Sequence, residues 1–245
     1  MMSLRPRLTP EQKRAKEEGE IERHNLEKRA ESAESIRKSR RRFATFTGRI
    51  HYLTEFFDIA QSCENLLDKA RQSGDLLVLG FDLEWPFSYK TGPGRTATIQ
   101  ISPDDETCCI YHVSNIQRLP KGLSELLVRS NVRITGNCVK NDVRKLARDF
   151  PGWDVEKAIE NCVDLSQMAN RVLATSRRWS LEDLVDNLLD LNVDKSKKVR
   201  MSRWDKVPLT DEQKRYAATD SYVSLVLYDV LKSREMSIEN RTETF

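Results

Sequence analysis

The sequence lacks the features that mark secreted and membrane proteins. Its five cysteines are an odd number without a Cys-x-x-Cys pair, and no stretch resembles a signal peptide or an apolar run of membrane length. We therefore expect a reducing intracellular compartment and no membrane partner. The cysteines are then most simply small core residues: Cys63, Cys108, Cys109, Cys138 and Cys162.

Large apolar side chains are almost absent from the first 42 residues, which are rich in Glu, Lys, Arg and Ser. Such a segment buries too little surface to offset the entropy of ordering, so we predict a disordered arm or a solvated single helix. The arm ends in the basic run 37–42, which fits a nuclear-import signal, a nucleic-acid tether or a solvated charge run. The remaining length suits one domain, predicted at 43–233, with a flexible tail at 234–245.

Strand and helix patterns in the domain predict an α/β fold. Three early strands are predicted to run antiparallel, and the later strands alternate with helices, which indicates a mixed sheet of about five or six strands with helices on both faces. The predicted strands are 45–53, 76–85, 96–102, 107–113, 132–135 and 162–163, and 89–95 is a turn. Two helices are predicted at 57–71 and 123–129, and a third begins after its N-cap Asn137 and ends near 150. Three more begin at capping pairs. Asp164 with Gln167 starts one helix, Ser180 with Asp183 starts 181–189, and Thr210 with Gln213 starts 211–232.

Two carboxylates stand at the end of the strand at 76–85. Asp82 and Glu84 are two positions apart, so their side chains share one face of the strand, and Pro86 then ends it. Two like charges there are costly unless a cation compensates, and oxygen ligands suit a hard cation such as Mg²⁺. The alternative is a strand end that leaves the core with both carboxylates in water.

Two further acids fall on apolar helix stripes. Asp142 and Asp220 occupy positions where a structural helix would place aliphatic residues, and no basic residue is expected on the same stripes. Four carboxylates around one cleft would carry a charge that two divalent ions balance, the arrangement used for displacement at phosphorus. Tyr216, four residues before Asp220, adds a hydroxyl on the same face, although a locally bonded, half-buried aromatic is the simpler alternative.

These segments resemble the three exonuclease motifs of the DEDDy family, in which a tyrosine precedes the last aspartate by four residues. Within that family, the chain is most similar to the exonuclease domain of the Werner syndrome protein over about residues 43–233. The residues that carry the resemblance are Phe46-Thr47-Gly48, 81–86, 136–146 with Asp142, Pro120-x-Gly122-Leu123, Trp179-Ser180-Leu181, and Trp204 with 208–220.

The resemblance implies an RNase H-like fold and a site that holds two Mg²⁺ or Mn²⁺ ions. It implies that Asp82, Glu84 and Asp220 bind one ion, that Asp82 bridges to the second, and that Asp142 holds the second through water. Glu84 and Tyr216 would position the attacking water. The implied reaction is 3′→5′ hydrolysis of DNA ends, single-stranded or recessed, to nucleoside 5′-monophosphates in a nuclear replication, repair or recombination process.

Three basic residues are candidate phosphate contacts. The segment 195–204 reads as a basic loop with one aromatic, and Lys197 and Arg200 fall where the family keeps a basic pair. The alternative for these charged residues is a solvated loop, whereas Trp204 is predicted to pack onto the core. Arg95, beside the turn after the carboxylate strand, is a further candidate.

Two other functions remain open from the sequence. An RNA-trimming exonuclease would use the same metal chemistry, and a non-catalytic module could hold strand ends for a partner. The large multidomain relatives carry a helicase domain that these 245 residues do not contain, which leaves open whether the chain acts alone or beside a separately encoded helicase.

Overall fold

The computed structural model describes residues 10–194 and 196–242, and it divides the chain into two compact units between Arg42 and Phe43. In the first unit, the helix α1 (Pro10–Arg40) has basic residues in its last turn. Its large apolar side chains Ile21, Leu26 and Ile36 are exposed. The arm is therefore helical in its described part, and these apolar side chains contribute to no core.

The second unit is built on a six-stranded sheet with the order β1-β6-β5-β2-β7-β8. Its strands are β1 (Arg49–Leu53), β2 (Leu77–Glu84), β5 (Thr98–Ser102), β6 (Thr107–His112), β7 (Val132–Gly136) and β8 (Cys162–Asp164), and a separate hairpin pairs β3 (Phe87–Ser88) with β4 (Gly92–Pro93). β2, β5 and β6 are antiparallel neighbours, whereas β1–β6, β2–β7 and β7–β8 are parallel. The predicted mixed sheet is confirmed.

Helices cover both faces of this sheet. They are α2 (Phe56–Ser73), α3 (Lys121–Val128), α4 (Val139–Asp149), α5 (Val155–Glu160), α6 (Leu165–Val172), α7 (Leu181–Leu189), α8 (Lys197–Arg200) and α9 (Asp211–Thr242). Strand alternation separates the two layers. In β6, Cys109 and Tyr111 join the core with α2 to α5, whereas Cys108 and Ile110 join the core with α8 and α9. Within the described ranges, no helix is both long and apolar enough to span a bilayer.

The long helix α9 crosses the middle of the sheet in very close contact. A Cβ at Gly80 would collide with the backbone carbonyl oxygen of Ser221, so only glycine permits this approach. The Ser221 hydroxyl also lies 2.9 Å from that of Ser102 on β5. The crossing therefore brings the residue before Ser221 on α9 over the acidic end of β2.

Three helix starts agree with their predicted caps. Asp164 accepts a hydrogen bond from the Gln167 amide, Ser180 and Asp183 form a reciprocal capping box, and the Thr210 and Gln213 side chains bond each other's backbone N–H groups. The cap predicted for α4 is wrong. Its N-cap is Cys138 rather than Asn137, with φ of 61° and no side-chain hydrogen bond.

Other boundaries differ from the prediction as well. The predicted flexible tail is helical as far as Thr242, because 233–242 contains no Gly or Pro to stop α9, and Lys232 pairs with Glu235 within it. Residues 243–245 of that tail lie outside the described residues. The predicted turn at 89–95 includes the short strand β4, and the short helices α5 and α8 were not predicted.

Candidate active site

The centre of the sheet supplies the first two acids. β2 lies between β5 and β7, and its alternation puts Asp82 and Glu84 on the same face at its C-terminal end. Directly opposite on β5 are Gln100 and Thr98, joined by a hydrogen bond of 2.6 Å from the Gln100 amide to the Thr98 hydroxyl. The acids therefore emerge from a central strand of the sheet rather than from a loop.

Helix α9 supplies the third acid. Asp220 is 9% exposed, and its carboxylate joins those of Asp82 and Glu84, with one oxygen from each residue lying within 4.8 Å of the others. Oxygen-only ligands at this spacing suit a hard divalent cation such as Mg²⁺ or Mn²⁺. We refer to Asp82, Glu84 and Asp220 as the acidic trio.

Burial makes the trio difficult to ionise. It raises the pKa of Asp82 and of Glu84 well above the usual range, and the neighbouring carboxylates, Asp220 above all, raise both further. Burial also raises the pKa of Asp220 to about 7, although the Tyr216 hydroxyl and Arg200 act in the opposite direction. A carboxyl group with a pKa of about 7, as for Asp220, exchanges its proton for a metal ion near neutral pH.

Asp142 lies beside the trio without being one of its members. It is in the first turn of α4, and its charge contributes to the raised pKa of both Asp82 and Glu84. Burial raises the pKa of Asp142 itself to about 7, and Asp164 raises it further while Lys145 lowers it. The structure thus gathers the four predicted acids, with Asp142 farther out, and it adds Asp164 as a fifth charge that the sequence assigned only to capping.

Tyr216 lies one turn before Asp220 and is half-buried. Its ring centroid is 6.0 Å from that of Trp204, and its hydroxyl interacts with the Asp220 carboxylate. Burial raises the pKa of Tyr216, and Asp220, Glu84 and Asp82 raise it further, so the hydroxyl remains a proton donor at the edge of the trio.

The basic segment divides into a packed part and an exposed part. Trp204 is fully buried and donates a hydrogen bond of 3.1 Å to the Arg200 carbonyl, which confirms its predicted packing. Lys197 and Arg200 are exposed on the single turn of α8, and the charge of Arg200 lowers the pKa of Glu84 and Asp220. The charge of Arg200 is therefore close enough to act on the trio, while Lys195 lies outside the described residues.

Arg95 occupies a different environment. Its guanidinium lies 4.0 Å from the centroid of the Phe150 ring and donates to the backbone carbonyls of Ile116, at 2.8 Å, and Asp149, at 3.3 Å. These contacts give the side chain a packing role, and its assignment to phosphate binding stays a prediction.

A buried lysine was missed. Lys145 is 7% exposed and three residues beyond Asp142 on α4, contrary to the expectation that no base shares these stripes. Its ammonium pairs with Asp149 at 2.8 Å and lies 4.7 Å from the centroid of the Trp85 ring. The i, i+4 spacing of Lys145 and Asp149 indicates an ion pair on one face of the helix. The spacing alone does not predict burial of this pair, because lysine is rarely found in a core.

A cavity of about 310 Å³ opens beside the trio. Its lining includes Thr45, Asp194 and Arg215 together with Tyr216 and Asp220. The segment before β1 forms one wall, because the Ala44 amide donates to the Asn192 carbonyl at 2.8 Å. Sequence reasoning could not find this cavity, because its walls come from three segments far apart in the chain.

Solved structures with the same architecture identify the fold. Similar folds occur in the EXO domain of Nibbler from Aedes aegypti (TM-score 0.62, 20% identity, 79% of this chain and 93% of that one) and in Escherichia coli RNase D, an exoribonuclease involved in structured RNA processing (TM-score 0.61, 18%, 77% and 46%). Brucella melitensis NrnC with bound Mg²⁺ is also similar (TM-score 0.56, 21%, 81% and 86%). The six-stranded mixed sheet is thus an RNase H-like fold.

The sequence comparison then fixes the family. The sequence profile of the 3′-5′ exonuclease family matches residues 54–234, and the chain belongs to that family. The 3′-5′ exonucleases of Drosophila sechellia and Drosophila melanogaster are each 45% identical over 203 residues, which is 82% of this chain and 57% and 58% of those proteins. The chain therefore spans less than two thirds of the length of these curated relatives.

Proposed function

We propose that this chain is a metal-dependent 3′→5′ DNA exonuclease of the DEDDy type, related to the Werner exonuclease domain. The observation that carries the proposal is the convergence of Asp82, Glu84 and Asp220 on one point, with Tyr216 one helical turn away, inside a domain of the 3′-5′ exonuclease family. These partly buried carboxylates with raised pKa values form a site that gains stability when a divalent ion replaces protons.

The trio would hold one Mg²⁺ or Mn²⁺ ion, and Asp82 together with Asp142 would hold a second. When bound, such ions neutralise charge on the scissile phosphate and acidify a water molecule. The charge of Asp142 raises the pKa of both Asp82 and Glu84, and this supports Asp142 as a ligand beside the trio.

The chain's own groups would orient the reaction. Glu84 and the Tyr216 hydroxyl position a water molecule for attack on phosphorus, and the cavity beside Asp220 takes the terminal nucleotide. As the water oxygen bonds to phosphorus, the P–O3′ bond breaks and the 3′ oxygen takes up a proton. The products are a nucleoside 5′-monophosphate and a strand with a new 3′-hydroxyl.

Arg200 and Lys197 would contact the phosphates of the strand that enters the site. The positive charge of Arg200 lowers the pKa of Glu84 and Asp220, and this supports a phosphate contact close to the trio. We further propose a nuclear location, with action at single-stranded or recessed 3′ ends, alone or beside a separately encoded helicase.

RNA is the second candidate substrate. The likeness to E. coli RNase D favours it at the level of the fold, whereas the sequence resemblance to the Werner exonuclease domain favours DNA. Initial rates on 5′-labelled DNA and RNA strands of matched sequence, with Mg²⁺ or Mn²⁺ and with EDTA, test the choice. We expect faster DNA hydrolysis, and faster RNA hydrolysis would reassign the substrate. Binding without hydrolysis of either strand would favour a non-catalytic module.

A further inference from the structure

A small hairpin with aromatic residues follows directly after β2, the strand that carries Asp82 and Glu84. Glu84 ends β2, and its carbonyl accepts a hydrogen bond of 2.9 Å from the Ala97 amide, where the chain returns to the sheet. Between these two residues, β3 and β4 pair so that Phe87 is opposite Pro93. Gly92 has a φ of 76°, a conformation that favours glycine and allows the tight return. The hairpin is thus a defined excursion whose two ends meet at Glu84.

Hydrogen bonds fix the base of this hairpin to β2 and to α4, which carry three of the four acids. The Gly94 amide donates to the Pro86 carbonyl at 2.8 Å, which closes the hairpin above β2. The Gly94 carbonyl accepts a hydrogen bond of 2.7 Å from the buried Lys145 ammonium, which also lies against the Trp85 ring. Since Lys145 and Asp142 are both on α4, the hairpin is held in register with the trio and with the fourth acid.

The tip of the hairpin exposes two aromatic rings. Tyr89 is 86% exposed and Phe87 is 42% exposed, and their ring centroids are 5.5 Å apart in an edge-to-face arrangement. The neighbouring Ser88, Lys90 and Thr91 are exposed polar residues, so the rings do not belong to a broad apolar patch of the kind that docks proteins. Aromatic faces beside a lysine instead match the alternating bases and phosphates of a single strand.

The short covalent path limits the distance between these two residues and Glu84. Phe87 is three residues and Tyr89 five residues beyond Glu84, so their Cα atoms lie within about 11 and 18 Å of that of Glu84. We propose that Phe87 and Tyr89 form a stacking platform for an unpaired base of the substrate strand close to the scissile phosphate. This inference rests on the proposed function, because that function is what brings a strand to Glu84. Every base has a π face, so the platform would hold 3′ ends without regard to sequence.

The first test compares three exposed-ring variants on single-stranded substrates with Mg²⁺. Tyr89→Ala should raise KM on the order of tenfold, as expected for one lost base–aromatic stack, with kcat within a few-fold. Tyr89→Phe keeps the ring and should behave as the wild type. Phe57→Ala, which removes a ring that is 76% exposed on α2, is the matched control and should have no effect. Melting temperatures should stay unchanged in all three, because these side chains are exposed.

The second test removes the base instead of the ring. A single abasic nucleotide is moved stepwise along the strand from the 3′ end, and KM is measured for the wild type and Tyr89→Ala. The platform predicts one position at which the abasic site weakens wild-type binding but has no further effect on Tyr89→Ala.

Two results would overturn the platform. They are a wild-type KM in Tyr89→Ala, or the same loss from abasic sites in both proteins at every position. In either case, hydrolysis by the wild-type enzyme would leave the proposed function standing. Wild-type protein that hydrolyses no strand would overturn both.

Discussion

Asp220 shows how a single residue reports on the site. It lies on the inner face of α9, where burial raises its pKa to about 7 while Tyr216 and Arg200 oppose the rise. A buried carboxyl group at this position stabilises the fold less than an apolar residue in its place would, because the carboxyl group is costly to desolvate. It becomes favourable when a cation joins the three carboxylates. Among the carboxyl groups, the pKa is raised most strongly for the four assigned to chemistry, which are Asp82, Glu84, Asp142 and Asp220.

The Tyr216 hydroxyl should act at the transition state. Tyr216→Phe keeps the ring beside Trp204 and leaves all four carboxylates in place, so folding, DNA affinity and metal-induced stabilisation should persist. Turnover should fall on the order of 10²-fold, because the hydroxyl would donate its hydrogen bond mainly in the transition state, where charge develops. Steady-state kinetics and melting curves check both expectations. A variant with kcat within a few-fold of the wild type would reduce Tyr216 to a packing residue.

Lys197 and Arg200 should act through phosphates. Replacing both with glutamine should weaken binding to every sequence tested and reduce the slope of log K against log salt by about 1.4 for single strands, or about 0.7 per contact. Lys121→Gln, at an exposed lysine of α3, is the control and should keep the wild-type slope. Salt titrations of DNA binding give the measurement. A double variant with an unaltered slope would mean that the α8 turn is merely solvated.

At single positions, the sequence draws attention to a residue wherever a charge interrupts an apolar pattern. Asp142 and Asp220 were found because they interrupt helix stripes, and Asp82 and Glu84 because they end a buried strand. Lys145 was missed because its partner Asp149 and the Gly94 carbonyl satisfy it only in the folded chain. Whether Arg95 packs on Phe150 or reaches solvent likewise depends on tertiary contacts that no local pattern encodes.

At the level of elements, the contact between α9 and β2 at Gly80 controls the geometry of the trio. Gly80→Ala would push a methyl group into the Ser221 carbonyl and separate Asp220 from Asp82. We expect a loss of about 1–3 kcal/mol in stability from overpacking, together with a marked loss of activity. Gly19→Ala, where an added Cβ meets no atom within 4 Å, is the control. Denaturant unfolding and exonuclease rates provide the test, and normal activity in Gly80→Ala would show that the crossing tolerates movement.

Element boundaries follow from sequence wherever a cap or a stop residue exists. Ser180 with Asp183 and Thr210 with Gln213 marked helix starts correctly, because each pair bonds locally. The parallel pairing of β1 with β6 could not be predicted, since it joins strands separated by a helix and two other strands of the sheet. The predicted end of α9 near 232 was wrong, because 233–242 contains no Gly or Pro and the helix continues to Thr242.

For the whole molecule, the raised pKa values predict an unusual pH dependence. A carboxyl group whose pKa is higher in the folded state than in the unfolded state binds its proton more tightly when folded. Asp142 and Asp220, with pKa values raised from 3.8 to about 7, should therefore make the metal-free protein lose stability as pH rises from about 4 to 7. Melting temperatures measured in EDTA across this range check the direction. Stability that rises steadily over the same interval would contradict it.

Divalent ions should reverse that loss near neutral pH. A ligand that binds only the folded state adds about 2.7 kcal/mol at a hundredfold excess over its dissociation constant, so Mg²⁺ or Mn²⁺ should raise the melting temperature. Asp82→Asn should remove most of the rise, because Asp82 is the acid proposed to contact both ions. An equal rise in Asp82→Asn and the wild type would place the bound ion elsewhere.

The most direct measurement is the digestion of a 3′-recessed duplex labelled at the 5′ end of its recessed strand, after the protein has been freed of metal by chelation. With Mg²⁺ or Mn²⁺ restored, we predict a series of labelled products shortened one nucleotide at a time, with release of nucleoside 5′-monophosphates. No shortening is predicted in EDTA or with Asp82→Asn and Asp220→Asn. Hydrolysis at the wild-type rate by either variant, or release of the 5′ label as a mononucleotide, would contradict a 3′→5′ exonuclease site built on the acidic trio.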